Sequence, residues 1–236
     1  MSYYRHIRNE CYEANRQLQT YKLVDLMLGN VGILDRDKGV FAIKPSGVEY
    51  EALTPAAMVV LDMEGKVVEG KLRPCADAPT YLRLFQEFKG VRAVVHTHSH
   101  YATIFAQAGL AIPCVGVIHA DYFNGDIPVT RPMTVGEIHG ANYERETGNV
   151  IVEQFVKVNP LEVPAVLVHG HGPFVWGTSG GQVLERAFAL ELLAKLAFKT
   201  LEINPETPPI SAALREKHFR DKWGPEAAAG PVNTNR

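Results

Sequence analysis

The sequence predicts a three-layer α/β fold, in which helices flank a central sheet. Apolar runs of strand length alternate along the chain with longer segments of helical periodicity. The chain has 236 residues, 46% of them hydrophobic, which is enough to bury one sizeable core. No internal repeat or long linker divides it, so we expect a single domain over residues 1–236. Prolines near residue 205 precede a last helix and a tail rich in Ala, Gly and Pro.

Segments with helical periodicity and recognisable ends predict the helices. They cover residues 6–18, 77–88, 102–108, 182–201 and 211–223, and residues 134–158 are interpreted as helical or irregular. Asp77 stands at the start of the second helix, and Gly109 follows the third, as helix start and stop signals require.

Short apolar runs bounded by turn residues predict the strands. They cover residues 40–45, 57–62, 66–71, 91–96, 113–118 and 163–169. Glu64-Gly65 predicts a hairpin turn, and Gly29 and Gly32 permit tight backbone geometry around Asn30. The stretch HGHGPFVWG after the last strand is interpreted as a Gly-rich loop.

The charge and cysteine content exclude several classes of function. A formal net charge of −2 gives no basic surface for nucleic acid or an anionic membrane, and the apolar runs are too short to span a bilayer. The N-terminal stretch is charged and lacks a signal-peptide core. Cys11, Cys75 and Cys114 form no CxxC pair. We therefore expect a reduced, cytoplasmic protein that acts on a small molecule.

The stretch VVHTHSHYATIFAQAG carries the first candidate site. A β-branched run delivers His96 and His98 two residues apart, and side chains on a strand alternate faces with period two. Both imidazoles therefore emerge on one side at the end of the strand, where they can chelate a divalent metal. The pair alone is weak support for a metal site, because many such histidine pairs lie on a sheet without binding a metal.

The loop after the last predicted strand supplies a third histidine. His171 follows a buried strand in HGHGPFVWG, where glycines let the backbone approach a ligand closely. Three histidines leave a coordination position open for substrate oxygens, which is the arrangement of a catalytic site. His169 is interpreted as a core histidine or one that supports the ligands, and His100 as pocket lining at most.

Asp77 has two interpretations that the sequence leaves open. It is either a fourth ligand or an acid/base group beside the metal, or it caps the helix that follows.

Four segments in order carry a resemblance to a known family: IKPSGVEYE, HTHSHYATIFAQAG, HADYFNGDIPVTRPM and HGHGPFVWG. The sequence resembles the class II aldolase family over residues 29–230, and within it the ribulose-phosphate 4-epimerase branch. The resemblance implies a central, mainly antiparallel sheet, a divalent metal (zinc foremost, with manganese or cobalt as alternatives), and a homotetramer with active sites at subunit interfaces. The implied substrate is a sugar or sugar phosphate.

The resemblance also implies roles for individual residues. It makes His96, His98 and His171 the metal ligands, with Asp77 beside them as ligand or catalytic group. Asp121 becomes a proton donor or acceptor contributed across a subunit boundary, and His218 stands where the family expects a catalytic histidine. The implied pocket for substrate and phosphate consists of Gly29, Asn30, Lys44, Ser46, Gly47, Cys75 and Ala76.

The chemistry that these roles imply is retro-aldol cleavage and re-addition. A metal that chelates a ketone and an adjacent hydroxyl stabilises an enediolate, so that the neighbouring carbon–carbon bond can break. Re-addition to the other aldehyde face gives an epimer, whereas release of the aldehyde is aldol cleavage. The family's aldolases are expected to carry Glu at the Asp77 position, so Asp77 favours the epimerase branch.

Two departures from the family pattern point to an altered substrate or step. Cys75 and Ala76 replace a Ser-Ser pair whose hydroxyls help to hold phosphate. The family's C-terminal AYYG carries a catalytic tyrosine, whereas Ala228 and Ala229 stand in this chain. Decarboxylation of a β-keto sugar acid, through the same enolate, is therefore an alternative.

The alternative to an enzyme is a non-catalytic scaffold protein of the same fold. It would have no reason to keep three histidines together with Lys44 and Asp121, so we expect an enzyme.

Overall fold

The computed structural model describes residues 2–224, and its centre is a seven-stranded sheet. The strands are β1 (Asn30–Asp35), β2 (Val40–Ile43), β3 (Val59–Asp62), β4 (Val67–Glu69), β5 (Ala93–His96), β6 (Ala165–Val168) and β7 (Gly172–Gly177). Their order across the sheet is β4-β3-β2-β1-β5-β7-β6. All neighbouring strands pair antiparallel, which confirms the predicted sheet.

Helices cover both faces of the sheet, which gives the three predicted layers. They are α1 (Arg5–Thr20), α2 (Ala78–Glu87), α3 (His100–Ala108), α4 (Val117–Ala120), α5 (Val135–His139), α6 (Tyr143–Gln154), α7 (Gly180–Ile203) and α8 (Ala212–Trp223). Helix α7 packs against α1 and α3, all three helices contact the sheet, α2 packs with α6, and α4 packs with α8. No helix within residues 2–224 combines the length and apolarity needed to cross a membrane.

Four of the strands are buried along their whole length. Every residue of β2, β5, β6 and β7 is buried, as expected for a sheet covered on both faces. The core includes Trp176, Tyr81 and Phe174 among its largest fully buried side chains. The helix over residues 102–108 is confirmed as part of α3, and Gly109 ends it in the left-handed conformation at φ +67°.

The sequence analysis missed two strands, β1 and β7. Gly172, Pro173 and Gly177 are local signals of a loop, yet they lie in a strand that pairs with both β5 and β6. Glycine is required at the start of this strand, because a Cβ on Gly172 would lie 2.9 Å from the carbonyl oxygen of Thr97. Long-range pairing therefore overrides the local preference.

The predicted strand over residues 113–118 is wrong. Only Ile112 forms a bridge, with Ile127, and the chain then turns into the short helix α4. The backbone N–H of Cys114 donates to the Asp126 carboxylate over 2.8 Å instead of joining a strand ladder. Pro113 has no N–H to offer to a neighbouring strand.

The outer edge of β6 is covered by a passing segment. Val129 forms a parallel bridge with Leu167. The N–H of Leu167 donates to the carbonyl of Pro128, and the N–H of Thr130 donates to the carbonyl of Leu167, each over 2.8 Å. The segment over residues 128–130 therefore takes up the outward-facing hydrogen bonds at the centre of this edge.

Candidate active site

Three histidines meet where β5 ends and β7 begins. The candidate ligand atoms of His96, His98 and His171 all lie within 4.8 Å of one another. His96 is the last residue of β5, His98 follows the strand, and His171 precedes β7. The antiparallel pairing of β5 with β7, in which His96 faces Phe174, brings these distant parts of the chain together. The expected triad is therefore assembled by two neighbouring strands of the sheet, β5 and β7.

The ring of His96 is fixed in one tautomer. Its Nδ1 lies 2.9 Å from the carbonyl oxygen of Pro173, to which it donates, and the ring stacks on Phe174 at 4.1 Å. A histidine whose Nδ1 carries the proton presents an unprotonated Nε2. That Nε2 lies 3.0 Å from Nε2 of His98. A backbone carbonyl that orients a ring in this way is typical of metal-binding histidines.

The cluster favours neutral imidazoles, which are the form that binds metal. Burial, together with the neighbouring charges of His96 and His98, lowers the pKa of His171 to about 4. Burial, followed by the charge of His96, lowers the pKa of His98 in the same direction. His171 Nδ1 is also buried without a hydrogen-bond partner. A partly buried cluster of imidazole nitrogens, one of them unpaired, fits a divalent cation.

Asp77 lies beside the cluster, but it is not one of the close ligand atoms. Its negative charge acts on both His98 and His171, which places it near them. Asp77 occupies the N-cap position of α2, yet its side chain caps no backbone N–H. Its Oδ2 instead accepts a 2.6 Å hydrogen bond from Asn30 Nδ2 and lies 3.5 Å from Cys75 Sγ. The capping interpretation of its side chain is therefore wrong.

Asn30 joins the cluster to the predicted substrate pocket. It is the first residue of β1, it pairs with His96, and it is 2% exposed. Tyr81 Oη donates to the carbonyl oxygen of Asn30 over 2.8 Å, a contact that the sequence analysis missed. The side-chain Oδ1 of Asn30 is buried without a partner. This free acceptor is suited to a hydroxyl of a bound molecule.

Gly29 has no room for a side chain. Its φ is +111°, and a Cβ would lie 2.7 Å from Val24 Cγ1 and 2.9 Å from the His96 carbonyl oxygen. The Gly29 carbonyl accepts a 2.7 Å hydrogen bond from Tyr50 Oη. This glycine therefore lets the chain enter β1 directly against the histidine cluster.

Lys44 supplies a buried positive charge close to Cys75. It is 3% exposed, its Nζ lies 5.1 Å from the centre of the Tyr50 ring, and Pro45 O is its one hydrogen-bond acceptor within residues 2–224. Burial lowers the pKa of Lys44, and the charge of Cys75 acts against that shift. A buried ammonium without a carboxylate partner favours a bound anion.

The other predicted pocket residues differ in exposure. Ser46, Gly47 and Ala76 are exposed, and Cys75 is half-buried. The backbone N–H of Ser46 donates to the carbonyl of Arg73 over 2.9 Å, so this amide is already paired. Gly47, at φ +70°, has open space around it.

Asp121 and His218 form a pair of their own. His218 Nδ1 lies 3.0 Å from Asp121 Oδ1, and Trp223 Nε1 donates to the Asp121 carbonyl over 2.6 Å. Within the described chain, no hydrogen bond or ion pair joins this pair to the three histidines. Ala228 and Ala229 lie outside the described residues.

His169 and His100 lie outside the cluster. His169 is exposed, and its Nε2 would lie 2.8 Å from a Cβ on Gly109, so the expectation of a core or supporting histidine is wrong. His100 is also exposed, and it pairs with Asp25 over 2.6 Å.

Comparison with known proteins identifies the family. The family model described as Class II Aldolase and Adducin N-terminal domain matches residues 9–198. A curated relative, L-ribulose-5-phosphate 4-epimerase UlaF of Salmonella paratyphi B, is 46% identical over 224 residues, which are 95% of this chain and 98% of the relative. The protein of the same name from Salmonella choleraesuis has the same identity and coverage.

Solved structures show the same fold. An L-fuculose 1-phosphate aldolase superposes with a TM-score of 0.79 at 22% identity, covering 94% of this chain and 97% of its own. The L-fuculose 1-phosphate aldolase from Glaciozyma antarctica PI12 gives a TM-score of 0.73 at 17% identity, with coverages of 92% and 81%. With the family model, the curated relatives and the fold in agreement, this chain belongs to the class II aldolase and adducin N-terminal domain family.

Proposed function

We propose that this protein is a metal-dependent enzyme that breaks and re-forms a carbon–carbon bond of a ketose phosphate, with 4-epimerisation of L-ribulose 5-phosphate as its foremost reaction. The observation that carries the proposal is the group of three histidines, one buried and two half-buried, whose ligand atoms lie within 4.8 Å of one another. The 46% identity to the epimerase UlaF supports the choice of substrate and reaction.

His96, His98 and His171 are the residues that would hold the cation. When bound, a divalent cation supplies Lewis-acid chemistry that stabilises negative charge on the ketose oxygens. Zinc suits three neutral imidazoles best, and manganese and cobalt are alternatives. The Pro173 carbonyl accepts from Nδ1 of His96 and orients the ring, so that Nε2 would be the ligand atom.

Asn30 and Asp77 orient the substrate beside the cluster. The free Oδ1 of Asn30 accepts a hydrogen bond from a substrate hydroxyl, while its Nδ2 holds Asp77 in place over 2.6 Å. Asp77 then accepts or returns a proton at a hydroxyl near the three histidines. Because one amide serves both contacts, a shift of Asn30 would disturb substrate and carboxylate together.

Lys44 is the proposed partner of the phosphate. Its buried ammonium has no carboxylate partner within residues 2–224, so an entering anion compensates its charge. Gly29, Ser46, Gly47, Cys75 and Ala76 complete the proposed pocket.

Asp121 and His218 are the proposed proton-transfer pair for the aldehyde. They lie together, 3.0 Å apart, and lack any direct contact with the histidines of their own chain. We therefore place them at the active site of a neighbouring copy in a homotetramer. In that position Asp121 moves the proton at the aldehyde oxygen, and His218 orients it. A cytoplasmic location remains part of this proposal.

Aldol cleavage is the second candidate reaction, and the alanines at positions 228 and 229 favour it. Epimerisation needs a proton-transfer group on each face of the rotated aldehyde. General acid/base catalysis contributes about a hundredfold to ten-thousandfold, so a missing tyrosine would slow re-addition from the second face. Cleavage needs one such group, and decarboxylation of a β-keto sugar acid would tolerate the same loss.

Nuclear magnetic resonance can separate these reactions. The metal-loaded protein is incubated with L-ribulose 5-phosphate in heavy water, and the 4-epimer and the two- and three-carbon fragments are followed over time. Epimer without accumulated fragments supports 4-epimerisation, and fragments without epimer would establish cleavage instead. The His98→Ala variant is the control, because both reactions require the histidine cluster. Turnover that persists in this variant would overturn the metal-dependent proposal.

A further inference from the structure

Arg186 is a buried cation without a carboxylate partner among residues 2–224. It lies in α7 and is 7% exposed. Buried arginines are normally paired, because an uncompensated charge in the protein interior is costly. No carboxylate within residues 2–224 forms an ion pair with Arg186. Burial accordingly lowers its pKa to about 10, and the charge of Glu185 acts weakly in the opposite direction.

The hydrogen bonds of Arg186 are incomplete. Its Nη1 donates to the carbonyl of Trp176 over 3.0 Å. Its Nε is buried without a partner, and Nη2 has no hydrogen-bond partner within the described chain. The guanidinium Cζ lies 5.0 Å from the centre of the Trp223 ring, and this cation–π contact stabilises the positive charge on one side. The nitrogen Nη2 is therefore left for solvent or a ligand.

A cavity of about 400 Å³ lies against this guanidinium. Besides Arg186, its lining includes the partly exposed Phe219 and Trp223, the fully buried Trp176, and Gln182. Gln182 and Arg186 are four residues apart on α7, so their side chains share one face of the helix. We call this space the Arg186 cavity.

Gln182 presents a second free donor to the cavity. Its Oε1 accepts hydrogen bonds from the backbone N–H of Thr178 over 2.9 Å and from the Thr178 hydroxyl over 3.1 Å. These two bonds fix the amide, and its Nε2 has no partner within residues 2–224. An amide N–H and a guanidinium N–H on one helix face suit the two oxygens of a carboxylate.

One acidic residue, Glu162, also lines the cavity. Its oxygens accept hydrogen bonds from Asn124 Nδ2 over 2.9 Å and from Asn159 Nδ2 over 3.1 Å. These contacts hold the carboxylate away from Arg186, so the guanidinium keeps its free charge.

The Arg186 cavity is distinct from the histidine cluster. It adjoins Trp176 and Gly177 at the end of β7, whereas His171 and Gly172 mark the beginning of that strand. Six residues of strand at about 3.3 Å each separate the two sites by roughly 15–20 Å along the sheet.

We propose that the Arg186 cavity binds a small organic carboxylate. Nη2 of Arg186 and Nε2 of Gln182 donate to its oxygens, and its apolar body lies against the rings of Phe219 and Trp223. The single cation and the aromatic walls favour a monocarboxylate with a compact apolar or ring-shaped body. This inference does not depend on the proposed function.

Tryptophan fluorescence provides a direct test, because the two tryptophans of the chain, Trp176 and Trp223, both line this cavity. The full-length, metal-loaded protein is titrated with benzoate at constant ionic strength. Benzamide, which has the same shape without the charge, is the matched ligand. We expect a saturable change with benzoate and binding at least about tenfold weaker with benzamide, since a charge-assisted hydrogen bond is roughly twice as strong as a neutral one.

Two variants test the donors, and a third serves as the control. Arg186→Met should weaken benzoate binding at least about tenfold. Gln182→Glu keeps an oxygen for Thr178 but places a negative charge four residues from Arg186, so it should weaken binding without removing a buried side chain. Arg220→Met removes an exposed arginine of α8 and should leave benzoate binding unchanged.

Three results would overturn the proposal. The first is the absence of a saturable fluorescence change in the wild type. The second is equal binding of benzamide and benzoate. The third is wild-type affinity for benzoate in Gln182→Glu, which also covers the case in which Arg186→Met does not fold.

Discussion

Asn30 Nδ2 donates to Asp77 Oδ2 across 2.6 Å and so connects the first residue of β1 to the residue before α2. These residues are 47 positions apart. The bond withdraws Asp77 from helix capping and leaves Asn30 Oδ1 as a free acceptor beside the histidine cluster. The substrate pocket and the cluster therefore share one amide group.

Metal retention should depend on His98. His98→Ala removes a neutral ligand, and we expect metal occupancy to fall by at least about tenfold, since loss of a mere supporting group already weakens metal affinity about 10–100-fold. Elemental analysis after dialysis measures the occupancy. His169→Ala is the matched control, because this exposed histidine lies two residues from His171 but outside the cluster. Full occupancy in His98→Ala would contradict the assignment.

Gly32→Ala should destabilise the fold through Tyr81. A Cβ on Gly32 would lie 2.5 Å from Tyr81 Cδ2 in the core. Overpacking of this kind costs about 1–3 kcal/mol, and it would also displace the hydroxyl that supports Asn30. Urea unfolding at fixed metal concentration gives the free energy of unfolding.

Gly181→Ala is the control for that experiment. Gly181 lies in α7, and a Cβ there meets no atom within 4 Å. Removing a helical glycine should stabilise the protein by about 0.5–1 kcal/mol. Equal effects of the two substitutions would show that the contact with Tyr81 is unimportant.

Acid should destabilise the protein partly through His119. This residue is 3% exposed, its Nε2 lies 2.8 Å from the Gly125 carbonyl, and burial lowers its pKa from 6.5 to about 4. The unfolded state therefore binds more protons between these values, so the free energy of unfolding falls as the pH drops from 6.5 toward 4. At 1.36 kcal/mol per pKa unit, the loss is about 3 kcal/mol.

His119→Gln should flatten the pH dependence of unfolding over that range. His139→Gln changes an exposed histidine of α5 and is the control. Thermal or urea unfolding between pH 7 and pH 4 measures both variants. Identical pH profiles for His119→Gln and wild type would rule out this role of His119.

Phosphate recognition should be weaker with Cys75 and Ala76 than with two serines at these positions. Restoring two hydroxyls in Cys75→Ser/Ala76→Ser should raise the preference for phosphorylated over free ketoses by roughly tenfold or more, at about 0.5–1.5 kcal/mol for each hydrogen bond. The ratio of kcat/KM for the two substrates measures this preference, and Cys114→Ser controls for the loss of a thiol elsewhere. A wild type that already prefers the phosphorylated sugar by orders of magnitude would show that the pocket has compensated.

The sequence analysis predicted the fold best where local signals are strong. Periodicity and end residues located α2, α3 and α7 to within a few residues. It missed β1, and it missed β7, where Gly172 and Pro173 have loop character and only pairing with β5 and β6 makes a strand. It failed again at residues 113–118, where apolar residues pack without a strand partner.

The candidate site shows the same division between local and long-range signals. The spacing of His96 and His98 is local, and His171 follows a recognisable strand, so their meeting could be expected. The bond between Asn30 and Asp77, the support from Tyr81 and the buried charge of Arg186 depend on contacts between distant segments. Composition and periodicity carry no signal for such contacts.

The segment over residues 128–130, which covers the outer edge of β6, affects how the protein associates at high concentration. An uncovered edge with the sequence AVLV would be a template for pairing with another molecule. The bridge between Val129 and Leu167 closes this template at its middle, and Pro128 has no N–H with which to extend the sheet outward. The opposite edge, β4, has only three residues and ends in the charged Glu69. Both margins of the sheet therefore resist intermolecular strand addition and the amyloid-like aggregation that follows from it.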